Sequence, residues 1–152
     1  MSPFASHMDH ALAEARLAAA RGEVPVGAVL VMPDGMIFAD GNRTREGHDP
    51  TAHAEIAVIR AACAATKSER LPGAVLYVTL EPCAMCAAAI ANARIKRVVF
   101  AASDPKSGGV LHGAKVFSHP QAHHAPEVID GIGADEAEAL LKDFFAARRE
   151  RP

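Results

Sequence analysis

The sequence predicts an α/β layered architecture built on a mixed sheet. Three observations carry that reading. Two β-branched or apolar segments, residues 26–32 and 36–42, flank the turn signal Pro33-Asp34-Gly35 and so form a hairpin. Beyond the hairpin, extended apolar runs alternate with helical ones. The alanine-rich stretch 83–93 is long enough to carry the chain from one strand to a parallel neighbour, so one sheet holds both pairing senses.

The elements follow in order. Residues 4–21 are expected to be helical, because Met8, Leu12, Ala15 and Ala19 recur at helical spacing and Gly22 supplies a stop. The hairpin comes next. Asp49-Pro50 reads as a helix start, with proline suited to the first helical position, and a helix is expected over 51–65. Residues 75–79 make a third strand, and Pro82 precedes the helix 83–93. A fourth strand, 97–101, contains Val98-Val99-Phe100. The run Asp104-Pro105-Lys106-Ser107-Gly108-Gly109 is a loop. Residues 110–125 fit no regular element, and 127–130 suit a short fifth strand. A last amphipathic helix, 134–149, puts Ala137, Leu140, Leu141, Phe144 and Phe145 on one face.

A chain of 152 residues, half of them hydrophobic, fits a single domain, 1–152, whose core needs no disulfide. Its 16 Lys+Arg against 18 Asp+Glu give a net charge of −2. Such a balance does not announce a nucleic-acid partner, so any RNA must be met by a local patch. The three cysteines, Cys63, Cys83 and Cys86, are too few and odd in number for a secreted disulfide framework. Residues 1–21 carry Asp9, Glu14 and Arg16 and hold no signal-type or membrane-length apolar run. A cytoplasmic protein with no membrane partner is expected.

The chemistry gathers in His53-Ala54-Glu55 and Pro82-Cys83-Ala84-Met85-Cys86. Cysteines three apart at a helix start share one face and can grip one ion. Free N–H groups and the helix dipole favour their thiolates there. His53 also falls near a helix start, so two helix N-termini can converge on a single site. Soft sulfur with imidazole suits one Zn2+ per subunit. Cys63, two to three turns past His53, lies too far along its helix to close the site. Three ligands leave a fourth position for water, whose pKa an open zinc lowers to about 7. Glu55 then stands beside the metal as the catalytic acid and base. The plain alternative is a zinc knuckle, or a buried cysteine pair with an unrelated histidine. A structural zinc normally has four protein ligands and no use for a neighbouring carboxylate.

His-x-Glu followed by Pro-Cys-x-x-Cys is the signature of zinc nucleobase deaminases. The chain resembles the bacterial tRNA-specific adenosine deaminases of the cytidine/deoxycytidylate deaminase superfamily. The resemblance is carried by Val24-Pro25-Val26-Gly27-Ala28-Val29, Asp49-Pro50-Thr51-Ala52-His53-Ala54-Glu55 and Leu76-Tyr77-Val78-Thr79-Leu80-Glu81-Pro82-Cys83. Arg97-Val98-Val99-Phe100, Asp104 with Lys106, and Phe144-Phe145 with Arg148-Arg149 extend it over nearly the whole chain.

The resemblance implies a three-layer cytidine-deaminase-like fold with a mixed five-stranded sheet. It implies conversion of adenosine to inosine at the wobble position of an arginine tRNA anticodon. A homodimer with the active site completed near the subunit interface is implied too. By the same resemblance Asn42, Val26 and the Ala54 backbone meet the flipped base, while Asp104, Lys106, Phe145, Arg148 and Arg149 meet the anticodon stem-loop. No DNA partner is expected. Ala146 departs from the family, which can carry arginine there. His112, His119, His123 and His124 are read as loop residues rather than a second metal site.

Two other functions fit the same motif. One is a free-base or nucleotide deaminase acting on guanine, cytosine or cytidylate. The other is a zinc-stabilised RNA-binding module without catalysis, against which Glu55 argues.

Overall fold

The computed structural model describes residues 3–149, with the side chains of Pro3 and Arg149 outside the description. The elements are α1 (Pro3–Ala20), β1 (Gly27–Val31), β2 (Ile37–Gly41), α2 (Ala54–Thr66), β3 (Val75–Leu80), α3 (Ala84–Asn92), β4 (Arg97–Ala102), a single 3-10 turn (Val116–Ser118), β5 (Glu127–Ile129) and α4 (Ala134–Arg149). The sheet runs β2-β1-β3-β4-β5. β1 pairs antiparallel with β2 and β3, while β3–β4 and β4–β5 are parallel. The expected mixed five-stranded α/β sheet is the one observed, and α3 is its crossover.

Strand alternation sends successive side chains to opposite faces, and the sheet uses both. Ala28, Leu30, Leu76, Val78, Val98 and Phe100 face α2 and α3, where Val58, Ala62, Ala87 and Ile90 complete a core. Val29, Tyr77, Val99 and Ala101 face the other way, against Met8, Ala11 and Leu12 of α1 and Ala137 of α4. The result is three layers. Helix α1 lies so close to β1 that a Cβ on Gly27 would stand 2.0 Å from the Ala11 carbonyl oxygen. Only glycine fits there. The Gly27 N–H in turn donates to the buried Thr79 hydroxyl of β3 at 3.1 Å.

Two helix starts differ from the sequence reading. Helix α2 begins at Ala54, three residues after the expected start. The Asp49 carboxylate accepts hydrogen bonds from the Thr51 N–H at 2.9 Å and its hydroxyl at 2.7 Å, closing a local turn where a first helical turn was expected. His53 is the extended N-cap, with φ −70° and ψ 158°. Helix α3 likewise begins at Ala84, and Cys83 is its extended N-cap. Residues 110–125 hold only the short 3-10 turn.

Candidate active site

The sheet brings two N-caps to one place. β3 delivers Cys83, and the turn after β2 delivers His53. Because both caps are extended, each side chain projects from its helix end into the space between the two helices. Cys86 follows one turn later and is fully buried. The His53 Nδ1 lies 3.6 Å from the Cys83 Sγ and 3.4 Å from the Cys86 Sγ.

Those separations test the fit to a metal. Tetrahedral zinc with Zn–S of about 2.3 Å and Zn–N of about 2.05 Å requires roughly 3.6 Å between nitrogen and sulfur donors. All three donor atoms lie within 4.8 Å of one another, and no other group of three such residues among those described does so. Cys63 sits in the body of α2, apart from the cluster. The donor set therefore fits zinc as one nitrogen and two sulfurs with a fourth position left to solvent.

Electrostatics support thiolate character at the cap. The Cys83 thiol is pulled down to about 4, chiefly by a hydrogen bond from Cys86, then by His53, against the opposing effect of burial. Cys86 moves the other way because it keeps the shared proton. His53 is raised, first by its hydrogen bond with Cys83.

Glu55 is 4 % exposed and lies in the first turn of α2 beside this cluster. Burial raises its pKa, against hydrogen bonding to its own backbone and the charge of His53. A carboxyl raised in this way holds a proton more readily than an exposed one, which suits general acid and base work. Cys86 also shares a hydrogen bond with it.

His53, Glu55 and Cys83 open onto a cavity of about 250 Å³ whose wall includes Val26, Asn42, Thr44 and Asp104. Asn42 is 7 % exposed and donates from Nδ2 to the Thr44 hydroxyl at 3.3 Å. Ala54 is buried directly behind His53. A larger groove of about 760 Å³ adjoins the cavity and shares Val24, Leu80, Asp104 and Ser107 with it. Lys106, Phe145 and Arg148 line that groove, and Phe145 is 44 % exposed. Thus Val26, Asn42 and Asp104 join the metal cluster, whereas Lys106, Phe145 and Arg148 stand one step away. Arg149 falls at the end of α4, with its side chain outside the description. His112 and His124 are engaged locally, the first with Glu81 and the second with the Ile95 carbonyl.

Sequence reasoning missed Glu81, which follows β3 and precedes Pro82. Its side chain is wholly buried. Oε1 accepts from the Asp104 N–H at 3.0 Å and meets the His112 Nδ1 at 2.8 Å. Oε2 accepts from the N–H groups of Val110, Leu111 and His112 at 3.1, 2.9 and 3.1 Å. Burial pushes this carboxyl up, but the hydrogen bonds from Asp104, His112, Leu111 and Val110 outweigh it and leave it lowered. The loop 104–112 is thereby fastened beside the cysteines. The Gly109 N–H donates to the Pro82 carbonyl at 2.8 Å, and Cys83 bridges Gly108. A lone glutamate before Pro-Cys gives no pattern from which this could be read.

Comparison with known proteins places this geometry among others like it. Residues 1–102 match the family described as the cytidine and deoxycytidylate deaminase zinc-binding region. The tRNA-specific adenosine deaminase of Agrobacterium fabrum is 58% identical over 142 residues, covering 93% of each chain. The Bacillus subtilis protein of the same name is 42% identical over 146 residues, covering 95% of this chain and 90% of its own. A solved structure from work on A-to-I editing by tRNA:A34 deaminases superposes with a TM-score of 0.87 at 58% identity, over 90% of this chain and 99% of that one. Guanine deaminase from Bacillus subtilis superposes with a TM-score of 0.66 at 28% identity, over 99% and 96%.

Proposed function

The chain belongs to the cytidine and deoxycytidylate deaminase zinc-binding family, and from that premise we propose that it converts adenosine to inosine at the wobble position of an arginine tRNA anticodon. One observation carries the chemistry. The imidazole and two thiols stand at zinc-ligand separations, and His53 and Cys83 line a pocket that also holds a buried carboxyl with a raised pKa.

His53 Nδ1, Cys83 Sγ and Cys86 Sγ would hold a zinc ion, which would supply Lewis acidity and lower the pKa of a water molecule to about 7. Glu55 does the proton work. Its carboxylate takes one proton from the attacking water and delivers it to the ring nitrogen N1 as the C6–O bond forms. It then carries the second proton to the amine, and the C6–N bond breaks with release of ammonia. Asn42 and Val26 wall the base.

The adjoining groove supports an RNA substrate over a free base. A single base fills only the inner pocket. The groove gives flanking nucleotides an exposed ring, Phe145, on which to stack, with Asp104, Lys106 and Arg148 beside it. An anticodon loop presents its bases unpaired, so extruding one costs only a few kcal/mol. The identity to tRNA-specific adenosine deaminases supports the same choice.

The chain acts as one zinc-dependent deaminase domain in the cytoplasm, where its thiols stay reduced. Among the described residues no helix is long and apolar enough to cross a membrane. A homodimer is supported by two exposed apolar side chains near the site, Met85 in the first turn of α3 and Leu111 in the loop packed against it.

The test offers zinc-loaded protein an arginine tRNA anticodon stem-loop alongside free guanine and cytidine. Inosine in the stem-loop is expected. Turnover of free bases or nucleosides alone would remove the RNA assignment and leave a guanine or cytosine deaminase.

A further inference from the structure

A second, polar cavity of about 490 Å³ lies beside the groove, bounded by Arg21, Gly22, Glu23, Arg45, Glu46 and Arg148. Three guanidinium groups converge on it. Arg148 donates to the Gly22 carbonyl oxygen from Nη2 at 2.9 Å, and Arg45 from Nη1 at 3.3 Å. Arg21 donates from Nη2 to the Asn42 carbonyl oxygen at 3.1 Å. The cavity is therefore linked to the groove through Arg148 and to the catalytic pocket through the Arg21–Asn42 hydrogen bond. Arg148 also lines the large groove, and the Asn42 side chain lines the catalytic pocket.

These arginines differ from others in the chain. Arg16, Arg43, Arg60 and Arg97 are each paired with a carboxylate. Arg21, Arg45 and Arg148 are in no ion pair among the described residues. The two acidic groups at the cavity are already committed. The buried Glu23 carboxylate accepts the backbone N–H groups of Arg45 and Glu46 at 3.1 and 2.7 Å. Glu46 is paired with Arg43. Glu23 feels the charges of Arg21 and Arg45 only at longer range.

Each guanidinium has five donors in a rigid fork and spends one of them here on a carbonyl. The remaining donors face a cavity whose two carboxylates are engaged with other partners, Glu23 with backbone N–H groups and Glu46 with Arg43. The Arg148 head is also held over the Phe144 ring, 4.6 Å from its centroid, which fixes its direction. A preset fork of this kind is the geometry that takes a phosphate oxygen pair. The net charge of −2 makes such a local device necessary, since the protein as a whole repels a polyanion.

We propose that Arg21, Arg45 and Arg148 form a phosphodiester-binding cleft that holds a backbone phosphate flanking the nucleotide in the pocket. This rests on the RNA reading above and adds to it Arg21 and Arg45, on the opposite wall from the C-terminal helix.

The experiment measures stem-loop binding by zinc-loaded protein across a salt series. The proteins are wild type, Arg21→Ala/Arg45→Ala, Arg21→Lys/Arg45→Lys, and Arg16→Ala as a surface control. One lost phosphate contact on a single strand lowers the slope of log K against log salt by about 0.7. The double alanine variant is expected to show that flattening and to bind roughly tenfold more weakly at low salt. The double lysine variant keeps the charge and is expected to restore most of the slope, which a merely structural role in bracing Gly22 would not produce. Arg16→Ala is expected to match wild type. If wild type binds the stem-loop and the double alanine variant keeps its slope, the cleft is refuted and the RNA reading stands. If wild type does not bind the stem-loop at all, both fall.

Discussion

Replacing Glu81 by glutamine removes one charge and one acceptor from a site where five donors meet two oxygens. The carboxylate serves the N–H groups of Asp104, Val110, Leu111 and His112 and the His112 ring. An amide offers one oxygen, and its NH2 must then face donors. In its best orientation the amide oxygen keeps the three N–H groups of residues 110–112. The NH2 then faces the Asp104 N–H, while the His112 ring can present its other tautomer. One backbone N–H is left buried without a partner, which costs about 1–3 kcal/mol. The surviving bonds lose charge assistance, bringing the expected total to about 3 kcal/mol. Urea unfolding at fixed excess zinc reads that loss as a lower midpoint with an unchanged slope. The same variant is expected to lose deamination, because Asp104 and Ser107 of the loosened loop line the pocket. A Glu81→Gln protein within about 0.5 kcal/mol of wild type would refute the view that this carboxylate fastens the loop.

Glu55→Ala is expected to retain zinc, measured by metal analysis, while turnover falls at least ~100-fold, since the residue moves protons and holds no ion. Wild-type rates in that variant would overturn the mechanism. Gly109→Ala places a Cβ 2.5 Å from the Ala84 backbone nitrogen, which must lift the loop off the start of α3. A loss of about 1–3 kcal/mol in the same unfolding assay is expected. Glu23 is pushed up by burial but pulled down further by the N–H groups of Glu46 and Arg45 and the nearby arginine charges, so its folded pKa lies below the ordinary 4.5. Its stabilisation is therefore complete above that value and disappears as pH falls through the lowered one. The stability gap between wild type and Glu23→Gln is expected to be constant above pH 4.5 and to close below it. A gap that widens in acid would mean the sign is wrong.

Much of the fold was legible because its signals are local. The hairpin at Pro33-Asp34-Gly35, the run Val98-Val99-Phe100 and the amphipathic face of α4 each declare themselves within a few residues. The start of α2 misled because Asp49-Pro50 satisfies the rule for a helix start, while the Asp49 side chain spends its hydrogen bonds on Thr51. The extended caps at His53 and Cys83 serve the cluster between the helices, and no local rule anticipates a partner 30 residues away.

The sequence by itself determined the donor set, one imidazole and two thiols with a carboxylate two residues from the histidine, since residue type and spacing suffice for ligand chemistry. Tertiary structure decided how that set is enclosed. Glu81 became a fastening point and Arg21 and Arg45 became neighbours of Arg148 only when α4 folded back beside the turn at Gly22. Hydrogen bonds and fields act over a few ångströms in space, and folding made neighbours of groups as much as 126 residues apart in the chain.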